Sequence, residues 1–104
     1  MTYSYELKNL ITREKDIEKV KQGRKTAVRR SNRFGDVGDR WDLDGVTLEL
    51  VNVYQQQLAD VTDEHAKQEG YQHLEDYKQA ITNIHQEAIW NPKLTVWVHE
   101  FKII

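Results

Sequence analysis

Seven Lys or Arg side chains and no acid fall between positions 19 and 33, and their densest part is the run Gly23-Arg24-Lys25-Thr26-Ala27-Val28-Arg29-Arg30. Cations gathered this closely suit an anion, above all a phosphate, which Arg can hold bidentately and Lys as a point charge. A second reading needs no ligand: Gly23 ends a helix, and Lys21, Arg24 and Lys25 complement the negative end of its dipole. Residues 36–90 carry twelve acids against only Arg40, Lys67 and Lys78. The window is therefore either a selective anion patch on an acidic chain or one half of an internal neutralisation. If the whole window faced single-stranded RNA, about four to six phosphate contacts would give a log–log salt slope of roughly −3 to −4.

Other chemistries are narrowed by what the chain lacks. With no cysteine, disulfides, thiolate metal sites and cysteine nucleophiles are excluded, and a reducing, cytoplasmic location is expected. His65, His73, His85 and His99 show no ligand spacing, and neither HExxH nor paired carboxylates occur. No metal and no cofactor are expected. The first residues do not form the basic head and apolar body of a signal peptide, and no apolar run approaches the roughly 18 residues of a membrane span. A soluble protein with no membrane partner is expected. At 104 residues, one domain over 1–104 is expected.

The elements that must position the basic window follow from periodicity and punctuation. Residues 3–8 alternate as a short strand, and Thr12 stands as the N-cap of a helix whose apolar face is Ile17 and Val20. That helix should end at Gly23. A strand over 25–30 would place Thr26, Val28 and Arg30 on one face. After a loop over 31–38, Asp44-Gly45 marks a hairpin turn between residues 40–43 and a long strand from Val46 to beyond Val53. The alternation Val46, Leu48, Leu50 changes phase at Val51, which predicts a bulge. Thr62 should cap a short helix over 63–68 closed by Gly70, and Leu74, Tyr77, Ile81, Ile84 and Ala88 predict a helix over 73–88. Asn91-Pro92 breaks it. The last strand, 94–103, is apolar on both faces, as expected of a strand buried on both sides. Such an order fits an α+β fold, a small barrel with two to three flanking helices.

The same run resembles a known family. Gly23-x-Lys25-x-x-x-x-Arg30 matches three of the four fixed positions of the ASCH signature GxKxxExR, with Val28 at the acidic one. Gly38-Asp39, the stretch Val61-Thr62-Asp63-Glu64-His65-Ala66 with Gln68-Glu69-Gly70, and Val98-His99-Glu100-Phe101-Lys102 are similar to the short bacterial branch of that family. The resemblance implies a PUA-like β-barrel, a single ASCH domain over 1–104, and RNA or a modified nucleoside as partner. The branch includes the 4-acetylcytidine amidohydrolases. There, a Lys in the Gly-Arg-Lys-Thr stretch is the base, a Thr three residues later the nucleophile, and a Glu after the His-Ala segment the acid. Lys25 and Glu69 match, and Val28 occupies the nucleophile's place.

Amide hydrolysis needs a nucleophile, a proton acceptor and a donor for the leaving amine. Lys25 serves as base only if burial and the cations Arg24, Arg29 and Arg30 depress its basicity, and serves as a plain phosphate contact without them. Glu69 is the acid or a solvated helix-end carboxylate. Thr26, two residues from Val28 on the same face, is the substitute nucleophile or merely a strand former; a water activated by Lys25 or Glu69 is the other route. Arg24, Arg29 and Arg30 are the expected ligand-binding cations, with Arg30 either clamping a phosphate or pairing with an acid of the second half. Trp41 and Tyr71 sit near loops where an aromatic ring could stack on a base. Trp97 reads as core and Trp90 as either. The expected function is binding of RNA or a nucleoside in a basic cleft around Lys25 and Arg30. Deacetylation of 4-acetylcytidine is the alternative, and ribonuclease activity a further one. Oligomeric state is left open.

Overall fold

In the computed structural model, which describes residues 6–84 and 90–104, the chain is built around one long bent strand. The elements follow in the order α1 (Glu14–Lys21), β1 (Ala27–Arg30), β2 (Arg40–Leu43), β3 (Val46–Gln57), α2 (Asp63–Gln68), α3 (Leu74–Ile84) and β4 (Thr95–Ile103). Asp44-Gly45 closes the β2–β3 hairpin, with Asp44 at φ 47° and Leu43 paired to Val46, as the Asp-Gly signal requires. β3 then pairs with β4 along most of its length. The bulge is where the alternation changes phase: the register shifts between Leu50 and Asn52, which leaves Val51 unpaired and 41% exposed.

The sheet order is β1-β4-β3-β2, antiparallel throughout, so the last strand has a neighbour on each side. The expected barrel is not closed among the described residues. β1 and β2, four residues each, are edges that exchange no ladder. Where the sequence predicts a strand over 3–8, residues Leu7–Asn9 form a 3-10 turn, with Asn9 N–H donating to Glu6 O and Leu10 N–H to Leu7 O. Positions 3–5 lie outside the described residues, as do His85 and Ala88 of the helix predicted over 73–88. The first helix also starts later than predicted: Arg13, not Thr12, is its N-cap, and no side chain caps it. No helix among the described residues is long and apolar enough to cross a membrane.

The sheet separates two apolar clusters. Leu10, Ile11, Val20, Val28, Leu48, Leu50 and Phe101 fill one face, joined by Trp41, whose ring meets Phe101 edge-on at 5.9 Å. Leu58, Val61, Ala66, Tyr77 and Val96 fill the other. Successive strand residues alternate between these faces, so Val28 joins the first cluster, and Arg29, paired with Val98, points to the second.

His99, fully buried, pins β1 from behind. Its Nε2 lies 3.0 Å from the Phe34 N–H, which donates to it, and Nδ1 lies 3.2 Å from Val28 O. The pair of contacts requires a neutral ring with the proton on Nδ1. Burial pushes the His99 pKa below the ordinary value of 6.5, and burial does the same to His65. The unfolded chain therefore binds protons more readily than the folded one as pH falls below about 6.5. Stability from these two groups is complete above that value and is lost as pH drops towards their folded-state values. We expect unfolding free energies from urea titrations to fall between pH 7 and pH 5.5, chiefly through the buried His99, by up to about 1.4 kcal/mol per pH unit. His99→Gln keeps a donor and an acceptor without titrating and should flatten the profile. An unchanged profile in His99→Gln would contradict the assignment.

Candidate functional site

Two helix ends of the same kind deliver the charged residues. α1 ends with Gly23 at φ 74°, Arg24 N–H donating to Lys19 O at 2.8 Å and Gly23 N–H to Val20 O at 3.0 Å. α2 repeats the pattern at Gly70, φ 91°, with Tyr71 N–H donating to Ala66 O and Gly70 N–H to Lys67 O, both at 2.9 Å. These are paired Schellman ends, and both need the left-handed residue that glycine supplies without strain. At Gly70 a side chain would also meet Lys19 Cδ at 2.8 Å. Thr62 fixes the other end of α2 in a reciprocal cap with His65. Thr26 N–H donates to Gln68 O at 2.7 Å, which ties the approach to β1 onto the end of α2. Lys25 and Glu69 meet as a result.

Their contact is the centre of a buried network. Lys25 Nζ donates to Glu69 Oε1 at 3.0 Å and to the Glu69 carbonyl at 3.1 Å, with Asp16 Oδ1 3.9 Å away. Arg29 Nη1 donates to Glu69 Oε2 at 3.0 Å, and Arg29 Nε to Gln56 Oε1 at 2.9 Å. Lys25, Arg29 and Glu69 are 5%, 5% and 3% exposed. Arg29 Nη2 is buried and has no hydrogen-bond partner among the described residues. A guanidinium donor left unmatched in a buried setting is costly, and native folds keep few of them.

The network floors a cavity of about 670 Å³. Tyr71, Tyr77, Trp90 and Val96 make one wall, and Thr12, Arg13, Arg30 and Ser31 line it further out, where all but the half-buried Arg30 are exposed. Tyr77 meets Trp90 edge-on at 6.0 Å and Tyr71 at 5.6 Å. Desolvation raises the pKa of both tyrosines above the ordinary phenol value, so their hydroxyls remain protonated at neutral pH.

Of the residues expected at the site, Lys25, Glu69, Arg29, Arg30 and Tyr71 line this cavity, and Thr26, Arg24 and Trp41 do not. Thr26 and Arg24 are exposed elsewhere, and Trp41 is packed in the opposite cluster because its hairpin strand turns it onto Phe101. Trp41 is core, not a stacking platform. Val28, fully buried in that same cluster, does not line the cavity either. Arg30 pairs with no acid among the described residues: Nη2 donates to Leu10 O at 2.9 Å and Nη1 to Arg29 O at 3.0 Å. Tyr77 and Trp90 were legible only as core or undecided aromatics. Arg13 gave no signal beyond its charge.

The basic window is thus not one exposed patch. Lys21 pairs with Asp44, Lys25 and Arg29 share Glu69, and Arg33 pairs with Asp36. Lys19 stands over the Tyr71 ring at 4.1 Å, which covers the cavity's flank. Internal neutralisation, one of the two sequence-level readings, accounts for four of the seven cations.

Fold and cavity together define a small α+β domain with an open antiparallel sheet and a polar-floored, aromatic-walled cleft on one face. Its fold is similar to that of a solved ASCH domain. The chain superposes on an ASCH domain from Lactobacillus crispatus JV V101 with a TM-score of 0.69 at 17% identity, covering 85% of this chain and 69% of that one. Protein EF3133 from Enterococcus faecalis V583, of the DUF984 family, gives a TM-score of 0.59 at 17% identity over 85% and 66%. No protein-family model and no curated protein matches the sequence.

Proposed function

We propose that the domain binds a nucleoside, free or within RNA, in the cavity floored by Lys25, Glu69 and Arg29. The observation that carries this reading is Arg29 Nη2, a buried charged donor without a partner among the described residues, beside a cavity with an aromatic wall. A heterocycle matches both requirements, with a flat face for Tyr71, Tyr77 and Trp90 and an edge oxygen for the guanidinium. Similarity of fold to ASCH domains adds an analogy and no more.

Deacetylation of 4-acetylcytidine is the second reading, favoured by the 3.0 Å Lys25–Glu69 contact, because these are the positions matching the branch's base and acid. Its nucleophile is the weak point. Val28 faces the opposite cluster and Thr26 lies off the cavity, so neither offers an oxygen beside Lys25. Loss of a nucleophile commonly costs several orders of magnitude in rate.

Titration calorimetry with the four common ribonucleosides and 4-acetylcytidine, together with an acetate-release assay, tests both readings. Saturable binding of at least one nucleoside is expected, with acetate release at or near the uncatalysed rate. Because residue 28 points away from the cavity, Val28→Thr should not raise that rate. If no nucleoside binds, the proposal fails; if acetate is released rapidly, the second reading replaces it.

A further inference from the structure

The cavity is electrically graded, and the grading sets how a ligand would lie in it. At the floor, Lys25 and Arg29 are matched by Glu69 and Asp16, so two cations face two acids within one network. Such a floor has hydrogen-bonding capacity but little net charge, and it suits a neutral polar edge better than a phosphate. At the mouth, Arg13 has no ion-pair partner among the described residues, and Arg30 is turned to main-chain carbonyls rather than to an acid. The Arg30–Leu10 bond draws the segment before Arg13 against the end of β1. The exposed hydroxyls of Thr12 and Ser31 lie in the same rim. Excess positive charge, together with Thr12 and Ser31, is therefore found at the entrance.

Resting on the nucleoside reading above, we propose that the cavity takes a single nucleotide base-first, with the base edge at Arg29 and the phosphate held at the mouth by Arg13 and Arg30. The RNA that fits is one presenting a flipped or unpaired nucleotide, not a strand laid along a basic groove. Four of the window's seven cations are held by acids, so the phosphates met by a bound strand are few. Of the other three, Lys19 stands over Tyr71 and Arg24 lies off the cavity, so Arg30 and, outside the window, Arg13 are left for about one or two contacts, which gives a log–log salt slope near −1 in place of the −3 to −4 of a groove.

The test compares each common ribonucleoside with its 5′-monophosphate and 3′-monophosphate by calorimetry on the full chain, in the wild type and in Arg13→Gln. Arg13 is exposed and caps nothing with its side chain, so the variant should fold normally. At low salt one monophosphate should bind about three- to fivefold more tightly than its nucleoside, an advantage that shrinks as salt screens the phosphate, and a short single-stranded RNA should show a slope near −1. In Arg13→Gln that advantage should disappear while nucleoside affinity is unchanged. Nucleoside binding with no gain from either phosphate, or a variant that weakens nucleoside and nucleotide equally, overturns the orientation and leaves the nucleoside reading standing. A slope of about −3 to −4 with a short single-stranded RNA also overturns it. Absence of all nucleoside and nucleotide binding overturns both.

Discussion

Glu69→Gln is expected to cost about 3–5 kcal/mol of folding stability, a large part of the roughly 5–15 kcal/mol a domain of this size holds. The substitution keeps the shape of the side chain and removes one charge. Lys25 and Arg29, each 5% exposed, would then face one another with only Asp16, 3.9 Å from Lys25, as a counter-charge. Breaking a buried pair leaves an uncompensated ion, and here one carboxylate serves two ions. Lys25→Met should cost less, because Glu69 then keeps Arg29. Urea denaturation followed by tryptophan fluorescence measures both. Were Glu69 the solvated helix-end carboxylate that its sequence position also allows, the change would stay within about ±0.5 kcal/mol. That outcome would mean the network does not hold the helix ends together.

What could be read from the sequence divides along a physical line. Features set by neighbours in sequence were legible: the Asp44-Gly45 turn, the Thr62 cap, the glycine ends at Gly23 and Gly70, and the phase change at Val51. The spacing put Thr26, Val28 and Arg30 on one strand face, whereas β1 begins only at Ala27, Val28 packs in the first cluster and Arg30, at the strand's end, lines the cavity. The spacing could not show which face meets the cavity, because that depends on Glu69 arriving from 44 and 40 residues away to neutralise Lys25 and Arg29. An unpaired Lys or Arg belongs in water, so the basic window read as a surface. Once a carboxylate is supplied, the odd-numbered side chains turn inward and Val28 joins the core. Trp41 was misplaced for a related reason. Its nearness to a loop said nothing about Phe101, which lies sixty residues on and is brought opposite by the β2–β3–β4 pairing.

Arg29→Met should separate the structural part of this network from its binding part. Methionine fills much of the same space without a charge, and Glu69 retains Lys25, so the buried carboxylate is not abandoned. The apolar substitute also removes the donor that has no partner among the described residues. Stability should therefore fall by less than in Glu69→Gln, by about 2 kcal/mol, the losses being the bond to Glu69 at 3.0 Å and the Gln56 bond at 2.9 Å. Affinity responds differently. If Nη2 meets a ligand oxygen on binding, its loss removes a hydrogen bond to a charged group, worth about 1.5–3 kcal/mol, or roughly 10- to 150-fold in Kd. Nucleoside and nucleotide should weaken by the same factor, because the base edge is common to both, whereas Arg13→Gln touches only the phosphate. Measured on protein shown by its melting curve to be folded, an unchanged nucleoside Kd in Arg29→Met would remove Arg29 from the binding floor. A loss of stability near that of Glu69→Gln would instead show Arg29 to be a structural partner of Glu69 alone.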